Sequence, residues 1–522
     1  MLLDRTFHPD EANQAFTTGR LLETGTYRYD PKDHHGPTLY YAAAAIQKAA
    51  GNSSTATLDA TLLRCTPLFF AAITVLLGFS AVRRIARNAS VGIAFAALLA
   101  TAPMFVFFAT DFIQEMLLAC FTMMMFWAGT GYFIPHTSAE AKARQGKWAL
   151  LFGIAAGLAF STKETSVLSF AAASIAALPF LPKWRRHCAP DAIGGLNASS
   201  HAVLALLGFL LTSAIMYSSF TENWHGVYDA FVSAPLSYIH RAVGDASSEG
   251  AAAHIHPWWQ YLKWVFCGNA VKDGPMHWTC RFSEITVLVQ ILLLQLPVAG
   301  VCFALKKRPS TSILNGYIYA CAYTAVLFAL YSAIPYKTPW CSLQMLMGVM
   351  LSLALGYALA ADILSKAYPN SPNAKLGAIL IPLALSASVI FGEHLSGIRK
   401  MVAEPDSRDI PYNYAAASPQ VKDMAATINE ALLCQTNGFP FAAVAVPTED
   451  TWPLPFYLRS VNGRVGYWTK FEELEALAEI GGKPDVVVVP AEDGHLVQPL
   501  FPHLRNTKRF EMRPHVRIRV FW

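Results

Sequence analysis

The chain has 522 residues, 54% of them hydrophobic and only 14% charged, with mean hydropathy +0.34 and a formal net charge of +5. A soluble globular chain carries about 25% charged residues, so this composition excludes a water-soluble globular protein. The small net charge gives no reason to expect a nucleic-acid partner, and apolar runs of about 20 residues predict one polytopic α-helical membrane domain.

The N-terminus, "MLLDRTFHPDE", lacks the apolar core of a cleavable signal peptide. It does carry adjacent carboxylates, Asp10 and Glu11, behind His8 and Pro9. In "DHHGPTLYY" (33–41) the Gly36–Pro37 pair sets a tight turn before an amphipathic segment. His35 either fixes that loop by hydrogen bonding or stands beside a catalytic group. Ten spanning helices follow, at 61–82, 91–109, 112–134, 148–162, 165–182, 202–220, 285–305, 313–334, 342–364 and 376–392.

Lys and Arg concentrate in alternate connections: "RRIARN" (83–88), "AEAKARQGK" (139–147), "KWRR" (183–186), "KKR" (306–308) and "SKAYPNSPNAK" (365–375). The positive-inside rule makes these cytoplasmic. The connections around Asp111, Lys163, 221–283 and 335–340 then face outward, as do residues 1–60 and those after about 393. An N-terminal segment outside the cell with no helix before it predicts a further spanning helix upstream.

The outer loop 221–283 contains "HIHPWWQYLKW", whose aromatic rings suit the headgroup zone. Its Cys267 and Cys280 can pair if the loop is extracytoplasmic; Cys65, Cys120, Cys302 and Cys321 lie in apolar runs and read as small core residues. Residues 393–522 form a tail with alternating signals. These are a helix over 418–432, a buried strand over 441–446, a helix over 471–480, a buried strand over 485–490 and a terminal alternating segment. That alternation predicts a small open α/β domain. The expected division is therefore 1–60 as first outer loop, 61–392 as membrane domain and 393–522 as extracytoplasmic domain.

Four polar constellations fall at outer ends of the predicted spans: Asp10–Glu11, Asp111 with Glu115, Lys163–Glu164, and Lys337 between Tyr336 and Trp340. Ionisable groups at membrane depth are costly and mark sites by default. Carboxylates that take a proton and cations that hold a leaving phosphate make a transfer centre. Each group also has a plainer reading. Asp111 suits a helix N-terminus, Lys163–Glu164 a solvated pair, Tyr336 and Trp340 an aromatic belt, and Asp10–Glu11 a surface pair.

"HPDEA" (8–12), "GTYRYDPKDHHGPTLYY" (25–41), "STKET" (161–165) and "YKTPW" (336–340) together resemble the GT-C superfamily of integral membrane glycosyltransferases. "PYNYAAASPQV" (411–421) and "TWPLPFYLRSVNGRVGYW" (451–468) extend the likeness into the tail. The chain is most similar to the protein O-mannosyltransferase-like group, in particular its flippase-activity-associated members. The resemblance implies an inverting enzyme of the plasma (inner) membrane that moves a sugar from a polyprenyl-phosphate carrier to a glycan, lipid or protein acceptor at the outer face. Carried over by motif, Asp10 is the base with Glu11 beside it, and Asp111 is the second acid. Lys337 is the phosphate ligand with Lys163 assisting, and Glu164, His35, Tyr336 and Trp340 line the substrate site. No cofactor is expected; Asp10, Glu11 and Asp111 offer oxygen ligands, but no metal is predicted. The alternatives are a flippase for the lipid-linked sugar, which predicts inverted repeats and broken helices at mid-membrane, and a non-catalytic envelope-assembly scaffold.

Overall fold

The computed structural model of the chain describes residues 2–31, 35–134, 145–180, 198–236, 254–266, 310–407, 410, 412–413, 416–433 and 439–522. The expected span 285–305, Cys302 and the Cys267–Cys280 pair lie outside the described residues.

Two helices, Pro9–Thr24 (α1) and Thr38–Ala49 (α2), precede the first long apolar helix, Ala60–Ala86 (α3). Asp59 starts α3 by accepting the Leu62 N–H. The span expected over 91–109 is broken. Pro103 excludes the helical conformation at the residue before it, so Ala102 is extended (φ −63°, ψ 122°) between Ala89–Thr101 (α4) and Pro103–Phe108 (α5). The helix expected from 112 begins instead at Glu115, giving Glu115–Phe133 (α6). Thus Asp111 does not open a helix: the Phe112 N–H is drawn out of any helical ladder by the Glu11 carboxylate at 2.9 Å.

The remaining apolar helices are Gln145–Phe160 (α7), Ser166–Ala177 (α8), Ala198–Tyr217 (α9), Thr311–Ala333 (α11), Ser342–Ala367 (α12) and Pro372–Val389 (α13). A short helix, Gln260–Phe266 (α10), lies in the outer-loop stretch. Six helical stretches among the described residues are long and apolar enough to cross a membrane. The protein is a multi-pass membrane protein. Its axial helix is α12, whose apolar window is 89% buried among α4, α11 and α13, whereas the window of α9 is only 11% buried. Val203, Leu206 and Leu211 therefore stand exposed on α9, as lipid-facing side chains must. The helices α7 and α9 approach closely at Gly153, where a Cβ would meet the Ala205 carbonyl oxygen at 1.9 Å.

After Leu395–Ala403 (α14) the chain enters the tail, built from Gln420–Leu433 (α15), Leu454–Tyr457 (α16), Glu472–Glu479 (α17) and Gly494–Leu500 (α18) around a five-stranded sheet. The strands are Ala442–Ala445 (β1), Val465–Trp468 (β2), Val486–Pro490 (β3), Thr507–Arg513 (β4) and Val516–Phe521 (β5), in the order β2-β1-β3-β5-β4. The pairs β1–β2 and β1–β3 are parallel, and β5 is antiparallel to both its neighbours. Both faces of β1 and β3 are buried, which accounts for their unbroken apolar runs.

The tail packs on the N-terminal segment. The Phe7 and Phe456 rings stack at 4.2 Å, the Phe7 N–H donates to the Tyr457 hydroxyl at 2.9 Å, and Arg459 donates to the Leu58 carbonyl at 2.7 Å. The "PLPFYLRS" stretch is thus a clamp on the segment that leads into α1.

Candidate functional site

The start of α1 divides its two acids. His8 is the N-cap, in extended conformation, with Pro9 in the first turn, where its missing N–H costs nothing. The His8 Nδ1 accepts the Asp10 N–H at 3.1 Å, and the Glu11 carboxylate accepts the His8 N–H at 3.0 Å, a reciprocal capping box. Glu11 is fully buried and takes two further bonds from Arg64, Nε at 2.8 Å and Nη2 at 2.6 Å, besides the Phe112 N–H. Burial would raise its pKa, but the Arg64 charge and hydrogen bonds, with Arg5 and Phe112, hold it at about 2. Asp10 turns the other way. Its side chain is 47% exposed, and its one ion-pair neighbour among the described residues is His8, with Nδ1 at 3.7 Å.

Arg64 also donates to the carbonyls of Leu3, Arg5 and Thr6, so one guanidinium fastens the whole approach to α1 onto α3. Arg5 in turn donates to Asp111 at 2.7 Å and lies over the Phe107 ring. Asp111 is buried, and burial first, then the Glu11 charge, push its carboxyl up to about 7 against the pull of Arg5. A single monodentate contact does not offset the loss of hydration in that position.

Lys163 and Glu164 do not form a solvated pair. Lys163 is buried and bonded to Glu115, whose charge, despite the opposing effect of burial, holds the ammonium above its ordinary value. Glu164 accepts from His35 Nδ1 at 2.8 Å and from the Tyr29 hydroxyl at 2.6 Å. Burial opposes its ionisation, but His35 and Tyr29 bring it to about 2. His35 thus fixes the loop by hydrogen bonding. Gly36 is required there: a Cβ would meet the Ser161 carbonyl oxygen at 2.3 Å.

Trp340 joins these groups. The Lys163 ammonium lies 5.9 Å from its ring centroid, and the His8 ring meets it edge-on at 6.2 Å. Three residues earlier, the Lys337 N–H donates to the His254 carbonyl at 2.8 Å, and the His254 and Tyr336 rings are 4.6 Å apart. His254 also lies within the field of Asp10 and His8. Lys337 is buried, which lowers its pKa, and among the described residues its amine bonds only the Ile334 carbonyl. Asp10, Lys163, Lys337 and Trp340 therefore gather at one end of the helix bundle.

A family model described as dolichyl-phosphate-mannose-protein mannosyltransferase matches residues 39–224. Of the solved structures, ArnT from Cupriavidus metallidurans in the apo state matches with TM-score 0.60 at 14% identity, over 99% of this chain and 94% of that one. Residues 39–224 thus resemble the protein mannosyltransferase family, and the chain as a whole shares the fold of ArnT. ArnT bound to undecaprenyl phosphate matches with TM-score 0.58 over the same shares. The archaeal oligosaccharyltransferase AglB from Archaeoglobus fulgidus, in complex with an inhibitory peptide and a dolichol-phosphate, matches with TM-score 0.50 at 12% identity, over 94% of this chain and 66% of that one. No curated protein sequence matches the chain.

The family segment takes in Asp111, Lys163 and Glu164 and leaves Asp10, Glu11 and Lys337 outside it. Several site residues carried little signal in sequence. Arg64 is an ionisable residue inside an apolar run, which is itself a mark of a site. Arg5, Asp406 and His254 sit in unremarkable polar stretches and acquire their place only through long-range contacts. Among the described residues no group of three or more His, Cys, Asp or Glu side chains is arranged to hold a metal ion. Glu11 and Asp111, two of the oxygen donors, face arginines instead.

Proposed function

We propose that this protein is an inverting glycosyltransferase of the inner membrane. It moves a sugar from a polyprenyl-phosphate carrier to an acceptor hydroxyl on the extracytoplasmic side, where its tail domain also lies. The acceptor oxygen attacks the anomeric carbon, the bond from that carbon to the phosphate oxygen breaks, and polyprenyl phosphate leaves with the electron pair. Asp10 takes the acceptor proton. Lys337 holds the phosphate, since an ammonium whose one partner among the described residues is a carbonyl keeps N–H groups for an anion. Lys163 adds positive charge from beneath Trp340.

The observation that carries this reading is the division of labour at the start of α1. Glu11 is consumed by four donors, while its neighbour's side chain is 47% exposed beside the His8 cap and within the field of His254. Asp111 serves as the second acid by keeping Arg5, and so the approach to α1, in place. A base so placed is worth about 10²–10⁴ in rate. The fold likeness to ArnT, crystallised with undecaprenyl phosphate, supports a lipid-phosphate donor.

The test supplies purified full-length protein with a panel of polyprenyl-phosphate sugars and measures release of polyprenyl phosphate. Release from one donor, dependent on an added acceptor, is the expected result. Intact donor throughout the panel, together with movement of the lipid-linked sugar across a proteoliposome membrane, would replace the transferase by a flippase.

A further inference from the structure

The β4–β5 hairpin of the tail carries arginines on one face of the sheet. Ile518 and Val520 of β5, with Phe510 and Met512 of β4, pack into the apolar cluster that α15 and α16 cover. Side chains alternate along a strand, so Arg509, Arg517 and Arg519 stand on the other face, with Phe521, beside α17 and α18. The register sets Arg509 directly opposite Arg519. Like charges so placed, with Cβ atoms about 4.5–5.5 Å apart, destabilise a strand pair. Among the described residues none of these three arginines forms an ion pair or a side-chain hydrogen bond, and the Arg519 Nε is buried without a partner. A buried donor left unmet costs free energy unless a ligand meets it.

The chemistry on offer is that of an anion site. Arg519 is held in place: its Cδ lies 2.5 Å from where a Cβ on Gly494 would stand, and its guanidinium is 5.7 Å from the centroid of the Phe521 ring. Of the acids at the start of α18, Asp493 faces Glu472, Glu492 and His495. Planar guanidinium forks match the oxygens of carboxylate and phosphate. Arg509 and Arg517 are exposed and Arg519 is half-buried, so the three address several oxyanions at once across an open face, as suits an extended polyanion. Two observations choose among polyanions. The clamp helix α16 lies on the opposite face of the sheet, so the arginine face is turned away from the N-terminal segment and the membrane domain. The outer edge of β4 is taken as well: the Glu511 N–H donates to the Gln420 side-chain oxygen at 2.8 Å, and the Met512 carbonyl accepts the Ser418 N–H at 2.8 Å. A peptide therefore cannot extend the sheet there, and recognition falls to the side chains.

We infer that Arg509, Arg517 and Arg519 form a binding face for an anionic glycan, one that bears carboxylate or phosphate groups. For its partner the inference rests on the extracytoplasmic placement of the tail in the transferase reading, but it is tested without turnover. Full-length protein in phosphatidylcholine nanodiscs is immobilised and offered a galacturonate hexamer, a neutral galactose hexamer, an oligoglutamate peptide and phosphatidylglycerol vesicles, with binding read by interferometry. The galacturonate hexamer binds best, and added salt weakens it. Arg509→Gln and Arg519→Gln each weaken it about tenfold, as expected for a hydrogen bond between charged groups. Arg509→Gln also melts at or above the wild-type temperature, because it relieves facing like charges. Equal binding of the neutral hexamer, preference for the peptide or the vesicles, indifference to both substitutions, or a lower melting temperature for Arg509→Gln overturns the assignment. The wild-type preference needs no variant and decides the matter even if Arg519→Gln fails to fold. An inactive donor panel with hexamer binding intact would remove the transfer reading alone, and an active panel without hexamer binding would remove this inference alone.

Discussion

Replacing Glu11 with glutamine keeps its size and removes its charge, so Arg64 is left buried without a counter-ion. Breaking a buried pair in this way costs about 3–5 kcal/mol. Glu11→Gln should therefore lower the melting temperature and loosen residues 2–8, which amide exchange would read. Asp111 behaves oppositely with pH. A carboxyl raised on folding from near 4 to about 7 contributes stability that is complete below its unfolded value and is lost as pH rises through the folded one. Wild-type stability should thus decline between about pH 4 and pH 7, by a few kcal/mol, and Asp111→Asn should flatten that decline; equal slopes would contradict it. The presence of an acidic pair was plain in the sequence, but its division was not. Neighbours on a helix point about 100° apart, and only Arg64, 53 residues away in sequence, decides which acid is buried. Likewise nothing local in "STKET" shows that Lys163 reaches back 48 residues to Glu115 while Glu164 turns to His35.

At the scale of elements, most membrane helices were legible because their composition and flanking charges are strong signals. The exceptions have local causes: Pro103 splits one expected span, and the Glu11 contact to Phe112 delays the start of α6. In the tail, β1, β3 and the β4–β5 hairpin follow their apolar patterns, but β2 escaped notice. It is four residues long, contains a glycine and lies at a sheet edge with no buried residue, so neither a continuous apolar run nor a clean alternation marks it. Its connection to β1 contains α16, which bears the clamp residues. Phe456 is fully buried between the Phe7 ring at 4.2 Å and the Arg459 guanidinium at 4.2 Å. Phe456→Ala should cost about 3–5 kcal/mol and release the tail from the N-terminal segment. Limited proteolysis of the 404–420 linker would detect this as faster cleavage, and unchanged cleavage would show that the clamp is not held there.

For the whole molecule, the composition and basic-loop pattern were sufficient to place polar clusters from distant parts of the chain at one end of the helix bundle, because each sits at a helix end of matching orientation. The pairing among them depends on how the tail docks, which no single segment encodes. The central claim is that Asp10 is the base while its neighbour is structural. The direct measurement is single-turnover transfer from the donor found active, comparing wild type with Asp10→Asn at matched donor occupancy. The account predicts that Asp10→Asn melts with the wild type, binds the lipid donor equally and transfers about 10²–10⁴ times more slowly. Transfer at the wild-type rate by a folded, donor-saturated Asp10→Asn would contradict it.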